Sequence, residues 1–173
     1  MSKEEYIKHL DEIVKLRHYF HQHPELSNQE FKTTQKITEV LNNWGVKIVQ
    51  TKLNTGLLAE IKGPKPGPVV GLRADIDALP VNENTQLAFK SQNAGVMHAC
   101  GHDLHLSSLL GAIRFFKDHQ ALINGTLRFL FQPAEEAGGG ADQVLQKNVL
   151  SGVQALIGFH NNPNLPVGTV ALQ

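Results

Sequence analysis

Thr126-Leu127-Arg128-Phe129-Leu130-Phe131, entered through Asn124-Gly125 and followed at once by Gln132-Pro133-Ala134-Glu135-Glu136-Ala137-Gly138-Gly139-Gly140, reads as a central β-strand that ends abruptly in polar chemistry. Before it, residues 103–119 carry Leu106, Leu109, Leu110, Ile113 and Phe116 at helical period. After it, a short helix at about 141–147 leads to an apolar strand at 153–159, and residues 167–173 read as a last strand. Upstream, 46–51, 57–61 and 69–72 also read as strands, separated by Asn54-Thr55-Gly56 and by Gly63-Pro64-Lys65-Pro66-Gly67-Pro68. Val69-Val70-Gly71-Leu72 has no polar face, as expected of an interior strand in a helix-covered sheet. Apolar strands alternating with helices predict an α/β fold: a mixed, largely parallel sheet covered by helices.

The chain starts with two helices that read as scaffold. Ser2 and Glu5 have capping-box spacing ahead of Ile7, Leu10, Ile13, Val14 and Phe20. Ser27 and Glu30 repeat that spacing ahead of Phe31, Ile37, Leu41 and Trp44, with Gly45 as the stop. His18, His21 and His23 fall near the first helix's C-terminus, where the dipole favours imidazolium, and Pro24 ends it.

Bulk composition narrows the function. The 173 residues fit one domain, and 16 basic residues balance 16 acidic ones, which argues against nucleic acid or an anionic membrane surface as partner. No apolar run reaches membrane-spanning length or resembles a signal peptide, and a single cysteine forms no internal disulfide; the expected location is cytoplasmic.

That cysteine lies in Met97-His98-Ala99-Cys100-Gly101-His102-Asp103-Leu104-His105, where a loop enters the apolar helix. A thiolate and an imidazole two residues apart suit a borderline divalent ion. Three further polar clusters follow apolar strands: Asp75 and Asp77, one strand period apart, then Glu135-Glu136, then His160. Ligands in open α/β sheets bind beyond the carboxyl ends of strands, so neighbouring parallel strands would gather these groups at one edge. Two adjacent carboxylates are costly to bury without cations. On a tight turn they diverge, so one can bind metal while the other faces water, the division of labour that metal-assisted hydrolysis needs. A nucleophilic Cys100 activated by His98, His102 or His105 is the competing chemistry, but it leaves the carboxylates and His160 without a task. A fragment that holds an ion without catalysis is a second alternative.

Taken together, Arg73-Ala74-Asp75-Ile76-Asp77-Ala78-Leu79-Pro80, the 97–105 motif, Phe131-Gln132-Pro133-Ala134-Glu135-Glu136 and Gly158-Phe159-His160 resemble the aminoacylase/carboxypeptidase di-metal peptidase family. The branch most similar is that of N-acyl-amino-acid amidohydrolases, including hippurate and auxin-conjugate hydrolases and N-acetyl-diaminopimelate deacetylases. The likeness runs from His21-Gln22-His23-Pro24-Glu25-Leu26-Ser27 to Pro163-Asn164-Leu165-Pro166-Val167-Gly168. It implies a phosphorylase/hydrolase-like zinc-peptidase catalytic domain, incomplete here, with residues 1–173 as its N-terminal part. It also implies that Cys100 bridges two divalent ions, with His102 and His160 on one side and Glu136 on the other. Glu135 is then the general base that activates water and later protonates the leaving amine, and Asp77 orients a ligand histidine. Asp75 stands where related branches carry a ligand histidine and is not counted as a ligand. Zn2+ or Mn2+ is expected, with Co2+ and Ni2+ also compatible with these donors. The substrate implied is a small N-acyl amino acid, N-acetyl-diaminopimelate being a narrower reading. Family members carry an inserted lid and dimerisation domain and a returning segment with a further ligand histidine. The full-length protein is therefore expected to be a homodimer, and the 173 residues alone to be weakly active or inactive.

Overall fold

A computed structural model describes residue 4 and residues 7–171. The Ser2–Glu5 pair lies outside the described residues. Helix α1 (Leu10–Gln22) buries Phe20, and α2 (Phe31–Asn43) buries Thr33, Ile37, Val40 and Leu41. Gly45, in the left-handed region at φ 63°, stops α2 as expected: its N–H donates to the Asn42 carbonyl and that of Val46 to Leu41.

The start of α2 differs from expectation. Ser27 and Glu30 form no capping box. The Ser27 hydroxyl donates instead to Asp77 Oδ2 at 2.6 Å, and Glu30 makes no side-chain cap. Glu25 supplies the cap: its carboxylate accepts the N–H groups of Lys32 (3.2 Å) and Thr33 (2.7 Å) and the Thr33 hydroxyl (2.9 Å). Local spacing matched the motif, but partners distant in sequence took both side chains.

Strands β1 (Lys47–Val49), β2 (Leu57–Lys62), β3 (Lys65–Asp75), β4 (Asn124–Gln132) and β5 (Ala155–Gly158) form one sheet in the order β1-β2-β4-β3-β5. The sheet is mixed: β3 pairs in parallel with β4 and β5, whereas β2 is antiparallel to β1 and β4. Side chains alternate between its faces. Leu57, Ala59, Ile61, Phe129 and Phe131 join the main core with α1, α2 and α3 (His102–Asp118). The intervening Leu58 and Leu130, paired in register, pack with Val144 of α4 (Gly140–Gln146) on the other face.

This arrangement follows from handedness. The β3–α3–β4 crossover moves one way along the sheet, and the β4–α4–β5 connection moves back past β3. Right-handed crossovers running in opposite directions must put their helices on opposite faces. A crevice therefore opens beyond the carboxyl ends of β3 and β4. The expected strand at 167–173 does not form within residues 167–171: the Thr169 N–H closes a turn on the Pro166 carbonyl, Gly168 has φ 86°, and the Val167 and Val170 side chains are exposed. Proline and glycine spacing outweighs β-branched propensity here. No helix among the described residues is long and apolar enough to cross a membrane.

Candidate metal centre

Parallel register aligns the polar strand ends. Asp75, last in β3, sits beside Gln132, last in β4, and β5 ends two residues before His160. Helix α3 begins at His102, after Gly101 in the left-handed region at φ 90°. A side chain at Gly101 would also crowd the Asn161 amide, so glycine lets the 97–101 loop lie against the loop after β5.

Two overlapping donor groups result, each spanning no more than 4.8 Å: Cys100, His102 and Glu136, and Asp75, His102, His105 and His160. They make two candidate divalent-metal sites side by side, consistent with a dinuclear centre; His102 falls in both groups but has only Nε2 free to serve one ion. Cys100 Sγ lies 3.3 Å from His160 Nε2. His102 Nε2 lies 3.6 Å from Glu136 Oε1, 3.6 Å from Asp75 Oδ2 and 3.8 Å from Glu135 Oε2. On its other side, His102 Nδ1 is 2.9 Å from the Asp77 carbonyl and 3.2 Å from Asp77 Oδ1. Those acceptors place the proton on Nδ1 and leave the Nε2 lone pair facing the centre.

The residues fit a cation. His102 Nε2 and Glu136 Oε1 are buried with no hydrogen-bond partner, an arrangement that costs free energy unless something positive joins them. Burial, then a hydrogen bond with Glu136 and the charges of Glu136, Glu135 and Asp75, push the Cys100 thiol up to about 12. Burial alone would raise Asp75, but the His105 hydrogen bond and the charges of His102 and Arg73 bring it down to about 2. Asp77 is likewise held low against burial by His102, Ser27 and the Glu136 N–H. Burial lowers the His102 pKa, and the Asp77, Asp75 and Glu136 carboxylates more than reverse it. Negative charge dominates the crevice.

The chain thus brings Cys100, His102, Glu135, Glu136 and His160 together, with Asp77 directly behind His102. None of the three histidines considered as activators of a nucleophilic Cys100 is hydrogen-bonded to it: both nitrogens of buried His98 have no partner, His102 Nδ1 is turned to Asp77, and His105 is engaged by Asp75 and Asn161. Asp75 lies inside the donor cluster rather than outside it, and His105 joins it. Both His105 nitrogens are engaged, Nδ1 with Asp75 Oδ1 at 2.6 Å and Nε2 with Asn161. The three-residue spacing of His102 and His105 on α3 was the available signal, since it puts both rings on one helix face. His21 is no ordinary helix-end histidine. It is buried, 2.9 Å from Asp103 Oδ2 and 3.2 Å from Glu83 Oε1, and the Asp103 hydrogen bond holds its pKa up. Arg17 Nε approaches the same Asp103 oxygen at 2.8 Å as an ion pair without hydrogen-bond alignment. His23 does follow the helix-end expectation, with Nδ1 2.7 Å from the Tyr19 carbonyl.

Comparison with known proteins agrees with this architecture. N-acetyl-L-cysteine deacetylase of Bacillus subtilis is 49% identical over 162 residues, a match covering 94% of this chain and 39% of that protein. N-acyl-L-amino acid amidohydrolase of Geobacillus stearothermophilus is 44% identical over 165 residues, covering 92% of this chain and 45% of the relative. Among solved structures, the Bacillus subtilis YXEP protein, described as a dinuclear metal binding peptidase, superposes with a TM-score of 0.93 at 46% identity. That superposition covers 99% of this chain and 48% of the other, so the chain spans less than half the length of these relatives. Residues 71–173, which hold every donor of the crevice, match the model of peptidase family M20/M25/M40, and the chain belongs to that family.

Proposed function

We propose that this chain is the N-terminal part of the catalytic domain of a di-metal amidohydrolase that splits the amide bond of small N-acyl amino acids. Support comes from the donor cluster and from relatives named for deacetylation or deacylation of amino acids. The observation that carries the reading is the pairing of His102 Nε2 and Glu136 Oε1, buried and unpartnered 3.6 Å apart, beside a Glu135 side chain that is 40% exposed. Adjacent carboxylates therefore have different surroundings and different tasks.

In this reading Cys100, His102, Glu136 and His160 would hold two divalent ions. When bound, the ions supply Lewis acidity for the amide carbonyl and lower the pKa of water toward neutrality. Glu135, at the mouth of the crevice, takes a proton from the attacking water as its oxygen bonds the carbonyl carbon. It returns that proton to the nitrogen as the C–N bond breaks, giving a carboxylate and a free amino acid. Asp77 keeps His102 in the tautomer whose Nε2 lone pair faces inward.

Glu135→Gln, made in the full-length protein, tests the assignment. The variant should keep the wild-type metal content and lose about two to four orders of magnitude in hydrolysis of an N-acetyl or N-benzoyl amino acid. Unchanged turnover in the variant would overturn the assignment. Metal uptake with no hydrolysis by the protein at any length would point to an ion-holding role instead.

A further inference from the structure

We propose that Glu30 is a positioning residue for Glu135, acting through the backbone amide of Ala134. Glu30 is fully buried, yet it makes no cap for α2 and is absent from the ion pairs of the described residues. Its carboxylate instead accepts the Ala134 N–H at Oε1 and the Thr55 hydroxyl at Oε2, each at 2.7 Å. Burying a carboxylate against neutral donors alone is unfavourable, so a role in scaffold packing accounts poorly for it.

What it grips is strained. Ala134 is fully buried and has φ 52°, the left-handed region that alanine rarely adopts. Both of its polar groups are pinned, the N–H by Glu30 and the carbonyl by the Gly140 N–H at 3.2 Å. This bend reverses the chain directly before Glu135 and Glu136. Beyond it, the Glu136 N–H is held by Asp77 Oδ2 at 2.9 Å and the Ala137 N–H by Ser27 Oγ at 3.2 Å. Glu136 thus has its own anchor. Glu135 lies between Ala134 and that anchor; its carbonyl accepts the Gly138 N–H at 3.1 Å, while the direction in which the chain enters it is set by the Ala134 bend.

The second Glu30 contact ties the grip to the sheet. Gly56, at φ 75°, sits so close to the Phe131 carbonyl and the Pro133 ring that a Cβ would not fit, and its N–H donates to Thr34 Oγ1 at 2.8 Å. The 54–56 turn is therefore locked beneath Pro133, with the Thr55 hydroxyl aimed at Glu30. A carboxylate can accept from both donors, which alanine cannot. A glutamine keeps its oxygen on Ala134 and can offer its NH2 to a reoriented Thr55 hydroxyl.

The inference rests on the reading of Glu135 as proton carrier, so its test has one readout that does not depend on turnover. In Glu30→Ala, exchange of the Ala134 amide, followed by NMR in the metal-free protein, should accelerate at least about tenfold relative to the Phe129 amide of β4. In the full-length protein with metal bound, kcat should fall by about ten- to a hundredfold while KM and the number of bound ions stay within about twofold. Glu30→Gln should restore most of both quantities. Thr55→Val, which removes only one donor, should give intermediate Ala134 exchange, and serves if Glu30→Ala does not fold. Unchanged Ala134 exchange in the foldable variants, or equal acceleration at Ala134 and Phe129, would overturn the proposal, since the second pattern marks general destabilisation. Absence of turnover in the full-length wild type would defeat the Glu135 reading, leaving the exchange pattern to decide whether Glu30 grips the bend.

Discussion

His102 presents one nitrogen to the crevice because Asp77 occupies the other, at 2.9 Å through its carbonyl and 3.2 Å through its carboxylate. The same carboxylate takes the Ser27 hydroxyl and the Glu136 N–H, so one side chain orients a donor on α3 and the turn after β4. Asp77→Ala should therefore weaken divalent-ion binding by about ten- to a hundredfold, measured by competition with a chromogenic chelator. An unchanged dissociation constant would show that the imidazole is fixed by α3 alone. At this scale the sequence was informative where chemistry is rare. A lone cysteine two residues from a histidine and adjacent glutamates after an apolar strand are unusual in themselves. Asp75, His105 and Glu30 were harder to read, because their significance lies in a partner 30, 30 or 104 residues away.

Elements depend on similarly distant contacts. Glu25 caps α2 from outside the helix, accepting two backbone N–H groups and one hydroxyl, while its own carbonyl takes the Ala78 N–H. Glu25→Ala should cost about 1–2 kcal/mol, read as a lower urea midpoint with unchanged slope. At the other end of the helical layer, Asp118 on α3 accepts His9 Nε2 at 2.8 Å and Lys8 Nζ at 3.0 Å. Those hydrogen bonds, from His9 first and then Lys8, bring its carboxyl to about 2. A carboxyl held below its unfolded value stabilises the fold above about pH 4, and that contribution is lost as pH falls through about 2. With the side chain 22% exposed and open to screening, the loss is about 1 kcal/mol. Asp118→Asn should abolish that part of the acid transition, measured as urea midpoints from pH 5 to 2 at constant ionic strength. An identical pH dependence in variant and wild type would place the transition elsewhere. Helix and strand identities were legible from hydrophobic period, whereas the 167–173 strand and the Ser27–Glu30 capping box were not. In the first case proline and glycine closed a turn; in the second, Asp77, Thr55 and Ala134 claimed the side chains.

Across the whole molecule, strand order does the gathering. Because β4 and β5 flank β3 in parallel, Asp75, Asp77, Glu135, Glu136 and His160 emerge at one edge, and the loop before α3 carries Cys100 and His102 to it. An alternating pattern of strands and helices predicted a sheet of this kind, but it did not reveal that β2 runs antiparallel to β4 or which strands adjoin β3. Pairing order depends on crossover direction, which hydrophobic period does not encode. Their convergence predicts one divalent-ion centre shared by these separate strand ends and the α3 loop. Anomalous diffraction from crystals grown with Zn2+, recorded on both sides of the zinc edge, tests it most directly. The expected result is a peak within about 2.0–2.4 Å of both Cys100 Sγ and His102 Nε2, removable by chelator. Zinc uptake with no peak touching those two atoms, or no uptake at all, would contradict it.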